Sequence, residues 1–356
     1  MKILYGVQGT GNGHLTRARS MAKAFAKLDV KVDWVFSGRN REDFFDMQPF
    51  GDFRCYRGMT LQTKKGKVNM PKTILKSNLR QLRQDVRALN ASDYDLVVSD
   101  FEPVTAWAAR MHGVRSIGVS HQCAFLYPIP KKASNFITDI FMRWFAPIDT
   151  PVGVHWHHFD QSLLPPIVEP SEHPNTAQKG KILVYLPFAD VDDFLPLLAP
   201  FKDHEFYVYH KFKQTEDRGH IHLRPFSREG FQQDLHSAEG VMCSAGFELP
   251  SEAITLGKKL LVEPVRSQME QQSNALALQA LGYATTTDKI SEQVIRHWLT
   301  LPKPAPLHYP DVAQAIARWM VKDGAKNLPQ LSNALWQQVA ISPLTTPDLN
   351  QRLKQA

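Results

Sequence analysis

Two short stretches of the sequence combine small residues with a titratable side chain, an arrangement that can hold and activate a substrate. In the first, 244–252, Ser244 and Gly246 follow an apolar run and precede Glu252. Small residues let a ligand touch the backbone, and a helix that begins just after them offers free N–H groups and its positive dipole end to a diphosphate. Glu252, on the first turns of that helix, has the reach to bond the two hydroxyls of a ribose. This stretch predicts a nucleotide site.

The second stretch is a glycine-rich turn that ends in a histidine, Gly9-Thr10-Gly11-Asn12-Gly13-His14. A neutral imidazole can accept a proton near pH 7, and a neighbouring carboxylate would orient it and raise its basicity. Asp100, directly after the apolar run 96–99, is the first candidate for that carboxylate, and Glu102 is the second. Two other interpretations stay open: His14 as an anion-binding or space-filling residue at a helix start, and Asp100 as a helix N-cap.

A dinucleotide-binding loop would contain a similar glycine turn. It would also need an acidic residue at the end of the next strand, to bind the ribose of NAD. Here Asp33 lies inside the run 32–35, and Ser37-Gly38-Arg39 follows it. NAD is therefore disfavoured, although Arg39 leaves a phosphorylated cofactor open, and we predict that the protein uses no cofactor.

Apolar strands alternate with helical patterns in both halves of the chain, and these elements must position the candidate residues. The first half has predicted strands at 2–7, 30–36, 96–99 and 116–120 and predicted helices at 16–28 and 102–111. The second half has predicted strands at 181–186, 205–210, 220–224, 241–243 and 259–262 and predicted helices at 249–256 and 268–281. Such an order is typical of doubly wound α/β domains with parallel sheets.

The length of 356 residues favours two domains. We predict a first domain at 1–150, a linker at 151–178 that is rich in proline and histidine, a second domain at 179–325 and a helical tail at 326–356. Ligands of such sheets bind in the crevice at the carboxyl ends of the strands, so the two domains should face a common cleft. Whether the tail packs back across that cleft is left open.

The region 240–275 resembles the GT-B glycosyltransferases, especially those of the MurG and UDP-glucuronosyltransferase type. The matching elements, in order, are Ser244-Ala245-Gly246, Ser251-Glu252-Ala253, Leu256-Gly257-Lys258, Pro264, Glu270-Gln271 and Asn274-Ala275. Because several spaced elements fall in the right order over about 35 residues, the match is more specific than a single motif. The resemblance implies a GT-B fold, that is, two Rossmann-like domains facing a central cleft.

The resemblance also implies roles for individual residues. Glu252 would bind the ribose, Gly246 and Phe247 the diphosphate, and Glu270 and Gln271 the donor sugar. In the same families the residues at 224–227 hold the base through backbone contacts, so Phe226 is a candidate, and the turn that contains Gly11, Asn12, Gly13 and His14 faces the acceptor. One departure is the loop 186–190, which lacks the Gly/Ser-rich sequence that related enzymes often carry there.

Three further features carry weaker chemical signals. His121 follows a predicted strand and is interpreted as a polar loop residue. The cluster His155-Trp156-His157-His158 has no known zinc spacing and is assigned to the linker. Asp190-Val191-Asp192 has the form of a metal-binding DxD motif but stands in the wrong fold context, because GT-B enzymes stabilise the departing diphosphate with a helix dipole and amides. We therefore predict no metal.

Two predicted helices could serve the acceptor side. The segment 70–91 has an apolar face, with Leu75, Leu79, Leu82, Val86 and Leu89. Its basic flank contains Lys72, Lys76, Arg80, Arg83 and Arg87. A core-packed helix with a solvated flank is the first interpretation, and a surface for an anionic acceptor or anionic lipid is the second. The segment 136–145 has a broad apolar face that we expect to be partly buried, leaving room for a lipid-linked acceptor or a partner chain.

Composition limits the classes of function. The net charge of +7 favours anionic partners, but no nucleic-acid-binding motif is present, so nucleic acid is not an expected partner. The three cysteines have no metal-ligand spacing, and their odd number without a secretory pattern favours a cytoplasmic location. No apolar run approaches the length of a membrane span, so any membrane contact would be peripheral.

The sequence predicts an inverting, metal-independent glycosyltransferase that uses a nucleoside-diphosphate sugar, with UDP as the expected nucleotide, and an unidentified acceptor. Two alternatives share this architecture. A sugar-nucleotide 2-epimerase would need additional carboxylates and histidines around the donor sugar. A non-catalytic protein that binds sugar nucleotides or lipid would bind without turnover.

Overall fold

The computed structural model describes residues 1–59, 63–64, 67–68, 79–132, 136–169, 173–266, 268–339 and 346–355. Within these residues the chain forms two large sheets built almost entirely from parallel strands. Helices connect successive strands, as the alternating sequence pattern predicts. The fold is α/β with two Rossmann-like domains, so the fold class expected from the sequence is confirmed.

The first sheet has the strand order β3-β2-β1-β6-β7-β8, and its strand pairs are parallel. Its strands are β1 (Lys2–Gln8), β2 (Lys31–Ser37), β3 (Arg54–Tyr56), β6 (Leu96–Asp100), β7 (Ser116–Ser120) and β8 (Thr150–Gly153). The two short strands β4 (Thr63–Lys64) and β5 (Lys67–Val68) pair only with each other. The last strand of this sheet begins in the predicted first domain and ends in the predicted linker.

The second sheet has the strand order β11-β12-β10-β9-β13-β14-β15, in which only the edge strand β11 runs antiparallel. Its strands are β9 (Lys181–Tyr185), β10 (Glu205–Tyr209), β11 (Glu216–Arg218), β12 (Ile221–Arg224), β13 (Gly240–Ser244), β14 (Lys259–Glu263) and β15 (Thr285–Thr286). The strand order reverses between β9 and β13, which is where open α/β sheets bind ligands.

Helices cover both sheets. They are α1 (Asn12–Phe25), α2 (Leu79–Ala88), α3 (Pro103–His112), α4 (Phe136–Phe145), α5 (Val191–Leu198), α6 (Arg228–Ser237), α7 (Glu248–Thr255), α8 (Met269–Leu281), α9 (Glu292–Thr300), α10 (Val312–Val321), α11 (Leu328–Trp336) and α12 (Thr346–Gln355). Short 3-10 helices lie at Arg41–Asp43, Gln48–Phe50 and Gln122–Leu126.

Both faces of the first sheet are buried, which explains why its strands are apolar runs and do not alternate with polar residues. Ile3 and Tyr5 of β1 pack into one hydrophobic core, and Leu4 between them packs into another. All five residues of β6 are buried, including Asp100 at its carboxyl end. A buried charge at this position requires partners, which the neighbouring helices supply.

The start of α3 corrects one interpretation of the sequence. Glu102, and not Asp100, is the N-cap of this helix: its side chain accepts hydrogen bonds from the backbone N–H groups of Val104 and Thr105, both at 2.7 Å. Glu102 also accepts a bond from the Ser37 hydroxyl at 2.7 Å. The capping role considered for Asp100 is therefore filled by its neighbour, which also removes Glu102 from the candidates for a partner of His14.

The C-terminal helices return to the first sheet. Helix α10 packs against α1, and both Arg115 Nη atoms donate to the carbonyls of Gly324 and Ala325 at 2.8 Å. Trp336 of α11 donates its indole N–H to the carbonyl of Leu163 at 2.8 Å. Helix α12 packs against α8 of the second half. The sequence left the course of this tail open, and these contacts show that it ties the two halves of the chain together.

The helices predicted on the acceptor side are partly described. In α2, Leu82 and Val86 are buried whereas Arg83 and Arg87 are exposed, as expected for a core-packed helix with a solvated flank. Lys72, Leu75 and Lys76 lie outside the described residues.

In α4, Phe141 and Phe145 are buried while Ile140 and Trp144 are exposed, so the expected partial burial is confirmed. The side chains of Phe136 and Ile137 are outside the described part. Among the described residues, no helix is long and apolar enough to cross a membrane.

Candidate active site

A cavity of about 260 Å³ lies between the two sheets and is lined by residues of both halves of the chain. From the first half come Gly11, Asn12 and Gly13 at the start of α1, together with Thr16, Arg19 and Phe45. From the second half come the predicted donor residues Phe226, Ser244, Gly246, Phe247, Glu252 and Gln271. Residues predicted for the donor and for the acceptor-side loop therefore meet at one place, although they are more than 200 positions apart in sequence.

The donor turn has the local structure that the sequence predicts. Strand β13 ends at Ser244, and α7 begins at Glu248 without a side-chain hydrogen bond at its N-cap. A Cβ atom added to Gly246 would have no heavy atom within 4 Å, so the space beside this backbone is open. Open space next to an uncapped helix start is the arrangement that an anion such as a diphosphate can use.

Glu252 lies on α7 and lines the cavity. Its carboxylate accepts a hydrogen bond from Gln232 Nε2 at 2.9 Å. The pKa of Glu252 is raised to about 7, mainly by burial and in addition by the nearby carboxylates Glu169 and Glu248, although the bond from Gln232 and the charge of Arg228 oppose the rise. A carboxylate that receives only one hydrogen bond from the protein is suited to accept further hydrogen bonds from the hydroxyls of a ligand.

The two residues predicted to bind the donor sugar differ in their surroundings. Glu270 accepts hydrogen bonds from Gln122 Nε2, which lies 3.1 Å from each of its carboxylate oxygens, and burial raises the pKa of Glu270. Gln271 uses its Oε1 atom to accept from the backbone N–H of Val265 at 2.9 Å. Gln271 is thus partly engaged in holding the loop before α8.

Phe226 and Phe247 have different environments. Phe226 is 41% exposed at the cavity, where an aromatic ring can contact a base. The ring of Phe247 is buried and stacks on His121, with ring centroids 3.9 Å apart and an angle of 8°. Only the backbone of Phe247 is therefore suited to the predicted contact with a diphosphate.

His14 and Asp100 are brought together by α1 and β6. Nδ1 of His14 lies 2.7 Å from Oδ1 of Asp100. The His14 side chain is 13% exposed, whereas that of Asp100 is fully buried. A partly exposed imidazole held by a buried carboxylate can act as a general base towards a group in the cleft.

Arg17, which sequence reasoning missed, completes this arrangement. It donates from Nε to Asp100 Oδ2 at 2.8 Å and from Nη2 to Asp100 Oδ1 at 2.7 Å, and its Nη1 pairs with Glu248 of the second half. Burial alone would raise the pKa of Asp100, but Arg17 and His14 outweigh it and hold that pKa below its usual value. Asp100 is therefore a stable carboxylate. A sequence signal existed, because Arg17 lies three positions after His14 on one helix face.

His121 was wrongly interpreted as a polar loop residue. It is fully buried between the two halves of the chain: Nδ1 lies 2.9 Å from the carbonyl oxygen of Val154, and Nε2 lies 2.7 Å from Asn274 Oδ1. Burial lowers its pKa to about 4, so the ring is neutral at pH 7. His121 joins the domains and does not line the cavity.

The 155–158 cluster also lies at this junction. Trp156 is buried and donates to Ser251 Oγ at 2.8 Å, and the ring of His155 lies 5.2 Å from that of His121.

Asp190 of the DxD-like run accepts the Asp192 backbone N–H as the N-cap of α5. Within the described residues, no group of three metal-ligating side chains could hold a metal ion. The absence of a metal stays a prediction.

Several solved structures are similar to this chain over nearly its whole length. The glycosyltransferase SnogD from Streptomyces nogalater is 14% identical, with a TM-score of 0.55 over 94% of this chain and 96% of that chain. SsfS6 from Streptomyces sp. SF2575, complexed with thymidine diphosphate, is 13% identical with a TM-score of 0.56 over the whole of both chains, 100% and 100%. UGT89C1 of Arabidopsis thaliana, complexed with UDP, is 11% identical with a TM-score of 0.57 over 99% of each chain.

A search of curated protein sequences finds no match. The family model described as glycosyl transferase family 1 matches residues 1–302, which is most of the chain. With the two Rossmann-like sheets and the cleft between them, this match identifies the chain as a member of glycosyl transferase family 1, a glycosyltransferase with the GT-B fold.

Proposed function

We propose that the protein transfers a sugar from a nucleoside-diphosphate sugar, with UDP as the nucleotide, to an acceptor hydroxyl, with inversion and without a metal. The observation that carries the proposal is that His14, paired with Asp100, follows directly on Gly13, which lines one cavity together with the open Gly246 turn. The relatives solved with thymidine diphosphate and UDP support a nucleoside diphosphate as the leaving group. No nucleic acid or cofactor takes part in this reaction.

In the proposed reaction His14 removes the proton of the acceptor hydroxyl through Nε2, and Asp100 stabilises the resulting imidazolium. The acceptor oxygen forms a bond to the anomeric carbon while the bond from that carbon to the diphosphate oxygen breaks. The electron pair of the breaking bond leaves with the diphosphate. The start of α7 and its backbone amides stabilise the charge that develops there.

The donor would lie across the second half of the cleft. Glu252 accepts hydrogen bonds from the ribose, the backbone at Gly246 and Phe247 binds the diphosphate, and Glu270 and Gln271 bind the sugar. Phe226 stacks on the base. The raised pKa of Glu252 supports this assignment, because ligand hydroxyls would supply the donors that the protein does not.

The acceptor would approach from α1, where Gly11, Asn12 and Gly13 line the cavity. An anionic or lipid-linked acceptor fits the exposed Trp144 of α4, because its ring lies 5.9 Å from that of Trp107, over which the Arg110 guanidinium lies, so that exposed apolar surface adjoins positive charge. The proposal therefore places the protein in the cytoplasm, in peripheral contact with a membrane. Vesicles containing anionic lipid should bind the wild type and bind Trp144→Glu less.

One observation favours a second candidate, a sugar-nucleotide 2-epimerase. Glu270 lies close enough to His14 and to Glu248 for both to act on its pKa, which His14 lowers and Glu248 raises. Proton removal from a sugar carbon would use such groups. Incubation with donor alone separates the candidates, since an epimerase converts the sugar while its nucleotide stays attached.

The first test is a thermal-shift panel of UDP-, GDP- and TDP-sugars on wild type and Glu252→Ala. The matching donor should stabilise the wild type by about 2.7 kcal/mol at a concentration 100 times its Kd, and should stabilise Glu252→Ala much less. Glu292→Ala, on the exposed face of α9, is the matched control and should behave as wild type. If none of the nucleotides stabilises the wild type, the proposed donor site is wrong.

A further inference from the structure

Arg17 is unusual because it is a buried cation with carboxylates of both domains as partners. It is 1% exposed and lies on α1, between Asp100 of the first sheet and Glu248 of α7. Its three nitrogen atoms all donate to these two side chains. Two carboxylates therefore compensate one guanidinium, whose burial without them would be strongly unfavourable.

The same guanidinium touches the imidazole of His14. Arg17 Nη2 lies 3.0 Å from His14 Nδ1, and Asp100 Oδ1 lies 2.7 Å from that same nitrogen. An unprotonated Nδ1 would place its lone pair against a carboxylate oxygen, which is repulsive. Arg17 Nη2 donates to Asp100 Oδ1 at 2.7 Å and lies farther from Nδ1, so the contact between Nδ1 and that same oxygen sets the tautomer, and the proton lies on Nδ1. This tautomer leaves the lone pair of a neutral ring on Nε2.

Arg17 decides where Asp100 can lie. Its Nε and Nη2 atoms bind both oxygens of the carboxylate as a planar fork, which fixes the carboxylate plane as well as its position. A lysine at this position would supply the positive charge but could not bind both carboxylate oxygens in one plane. The orientation of the imidazole thus depends on Arg17 through Asp100.

Glu248 connects this group to the donor side. It is the first residue of α7, directly after the Gly246 turn, and its side chain is 17% exposed. Its Oε2 atom packs so closely on Gly13 that a Cβ added there would lie 2.6 Å away. The contact between Arg17 and Glu248 therefore requires the start of α7 to be docked on the start of α1.

We propose that Arg17 and Glu248 are positioning residues for the base, so that the imidazole of His14 is fixed in its Nδ1–H tautomer only while α7 is docked against α1. The inference rests on the proposed role of His14. The charged or titratable groups that contact the imidazole or act on it electrostatically are Asp100 of β6, Arg17 of α1, Glu270 of α8 and His121 after β7, while Glu248 of α7 pairs with Arg17. Removing Glu248 releases Arg17 and removing Arg17 releases Asp100, so either change frees the ring.

The test is the tautomer of His14 in full-length protein labelled with ¹⁵N-histidine, measured by NMR without any nucleotide. The His14 signals are assigned by their loss in His14→Asn. Wild type should show one tautomer, Nδ1–H, whereas Arg17→Lys and Glu248→Ala should show a mixture. Glu248→Gln should restore the single tautomer, because its amide oxygen can still accept from Arg17.

Glu239→Ala is the matched control, since Glu239 pairs with Lys259 at 2.8 Å in the second sheet, away from the cavity. It should leave the His14 tautomer unchanged. Should Arg17→Lys fail to fold, Glu248→Ala carries the test, because Glu248 is partly exposed. A single Nδ1–H tautomer in folded Glu248→Ala would overturn the proposal.

Turnover supplies a second readout once a donor is known. Glu248→Ala should lower kcat for nucleoside diphosphate release at least tenfold without weakening the binding of UDP. A weaker affinity for UDP with kcat unchanged would assign Glu248 to donor binding and overturn its positioning role. Because the NMR measurement needs no nucleotide, it still decides this inference if the thermal-shift panel rejects the proposed donor site.

Discussion

Asp100 and Glu252 are carboxylates on opposite sides of the cleft, the first fully buried and the second partly exposed at the cavity, and their charges are compensated very differently. Asp100 has Arg17 and His14 as partners, and its pKa lies below the usual value. Glu252 has one amide donor, Gln232, and its pKa is raised to about 7. On the Asp100 side of the cleft, the first side, the charge of the carboxylate is therefore balanced by protein groups before any ligand binds. On the Glu252 side, the second side, the protein leaves out hydrogen-bond donors that ligand hydroxyls can supply.

The largest expected effect is from Asp100→Asn, which removes the charge on the balanced side. Arg17 would lose its fork, so the free energy of unfolding should fall by about 3–5 kcal/mol, as for other broken buried ion pairs. The rate of nucleoside diphosphate release should fall about 1,000-fold or more, because the imidazole loses its orienting carboxylate. Urea unfolding and initial rates measure the two effects.

Glu239→Gln is the control for Asp100→Asn, because it also weakens a largely buried ion pair but far from the cleft. It should lower stability less and leave the rate unchanged. A loss of less than 1 kcal/mol for Asp100→Asn would mean that the first side is not held by this network, and the contrast with Glu252 would disappear.

The second prediction concerns Glu252 and the dependence of the free energy of unfolding on pH. Below about pH 4.5 Glu252 is protonated in both the folded and the unfolded protein, so Glu252→Gln should change the free energy of unfolding little. Between pH 4.5 and 7 only the unfolded chain loses this proton, so the wild type is progressively destabilised. At pH 8 Glu252→Gln should therefore be more stable than wild type by about 3 kcal/mol.

Urea unfolding at pH 4.5 and pH 8 measures this difference. Glu292→Gln, which removes an exposed glutamate of α9, should show no comparable dependence on pH. Equal stability of Glu252→Gln and wild type at pH 8 would show that Glu252 is not an uncompensated carboxylate.

His121 gives a third prediction, with the opposite sign. Its pKa is lowered to about 4 by burial, so between pH 6.5 and 4 the unfolded chain binds a proton that the folded protein does not. Stability should fall as the pH decreases, by about 2 kcal/mol between pH 7 and pH 5 for this residue. In His121→Gln that decrease should be smaller by this amount, whatever the variant's stability at pH 7. An unchanged decrease would show that His121 is already charged in the folded state.

The elements and the donor turn could be predicted because they depend on local patterns. The apolar runs of β6 and β13 and the small residues at 244–246 are visible in the sequence. The capping role of Glu102 was missed because local pattern favours aspartate over glutamate at an N-cap, and only the pairing of Asp100 with Arg17 shows that Asp100 is engaged elsewhere. Residue types and spacing cannot show such a long-range pairing.

The interdomain contacts were missed for the same reason. Glu248 follows the donor turn directly, but its partner Arg17 lies 231 positions away. His121 has a local sequence typical of a loop, whereas its stack on Phe247 depends on how the two sheets meet. The roles of the individual site residues remain predictions, since the structure gives their positions and not their ligands.

The smallest expected effect is from Gly246→Ala, which tests the open space beside the donor turn and changes no charge. Gly246→Ala should leave the free energy of unfolding unchanged within about 0.5 kcal/mol, because its methyl group would meet no atom within 4 Å. UDP would lose its close approach to the backbone, so its affinity should fall about tenfold, or about 1.4 kcal/mol. Isothermal titration with UDP and urea unfolding measure these two quantities.

Gly6→Ala is the matched substitution on the other side, where a Cβ would lie 2.0 Å from Thr105 Oγ1 and 2.7 Å from Glu102 Oε2. Because Glu102 and Thr105 are buried and bonded to each other, they cannot move freely, and stability should fall by about 1–3 kcal/mol. Its UDP affinity should stay unchanged once the folded fraction is corrected for. If Gly246→Ala bound UDP as tightly as wild type, the open space beside Gly246 would not be the diphosphate site, whatever the charges around it.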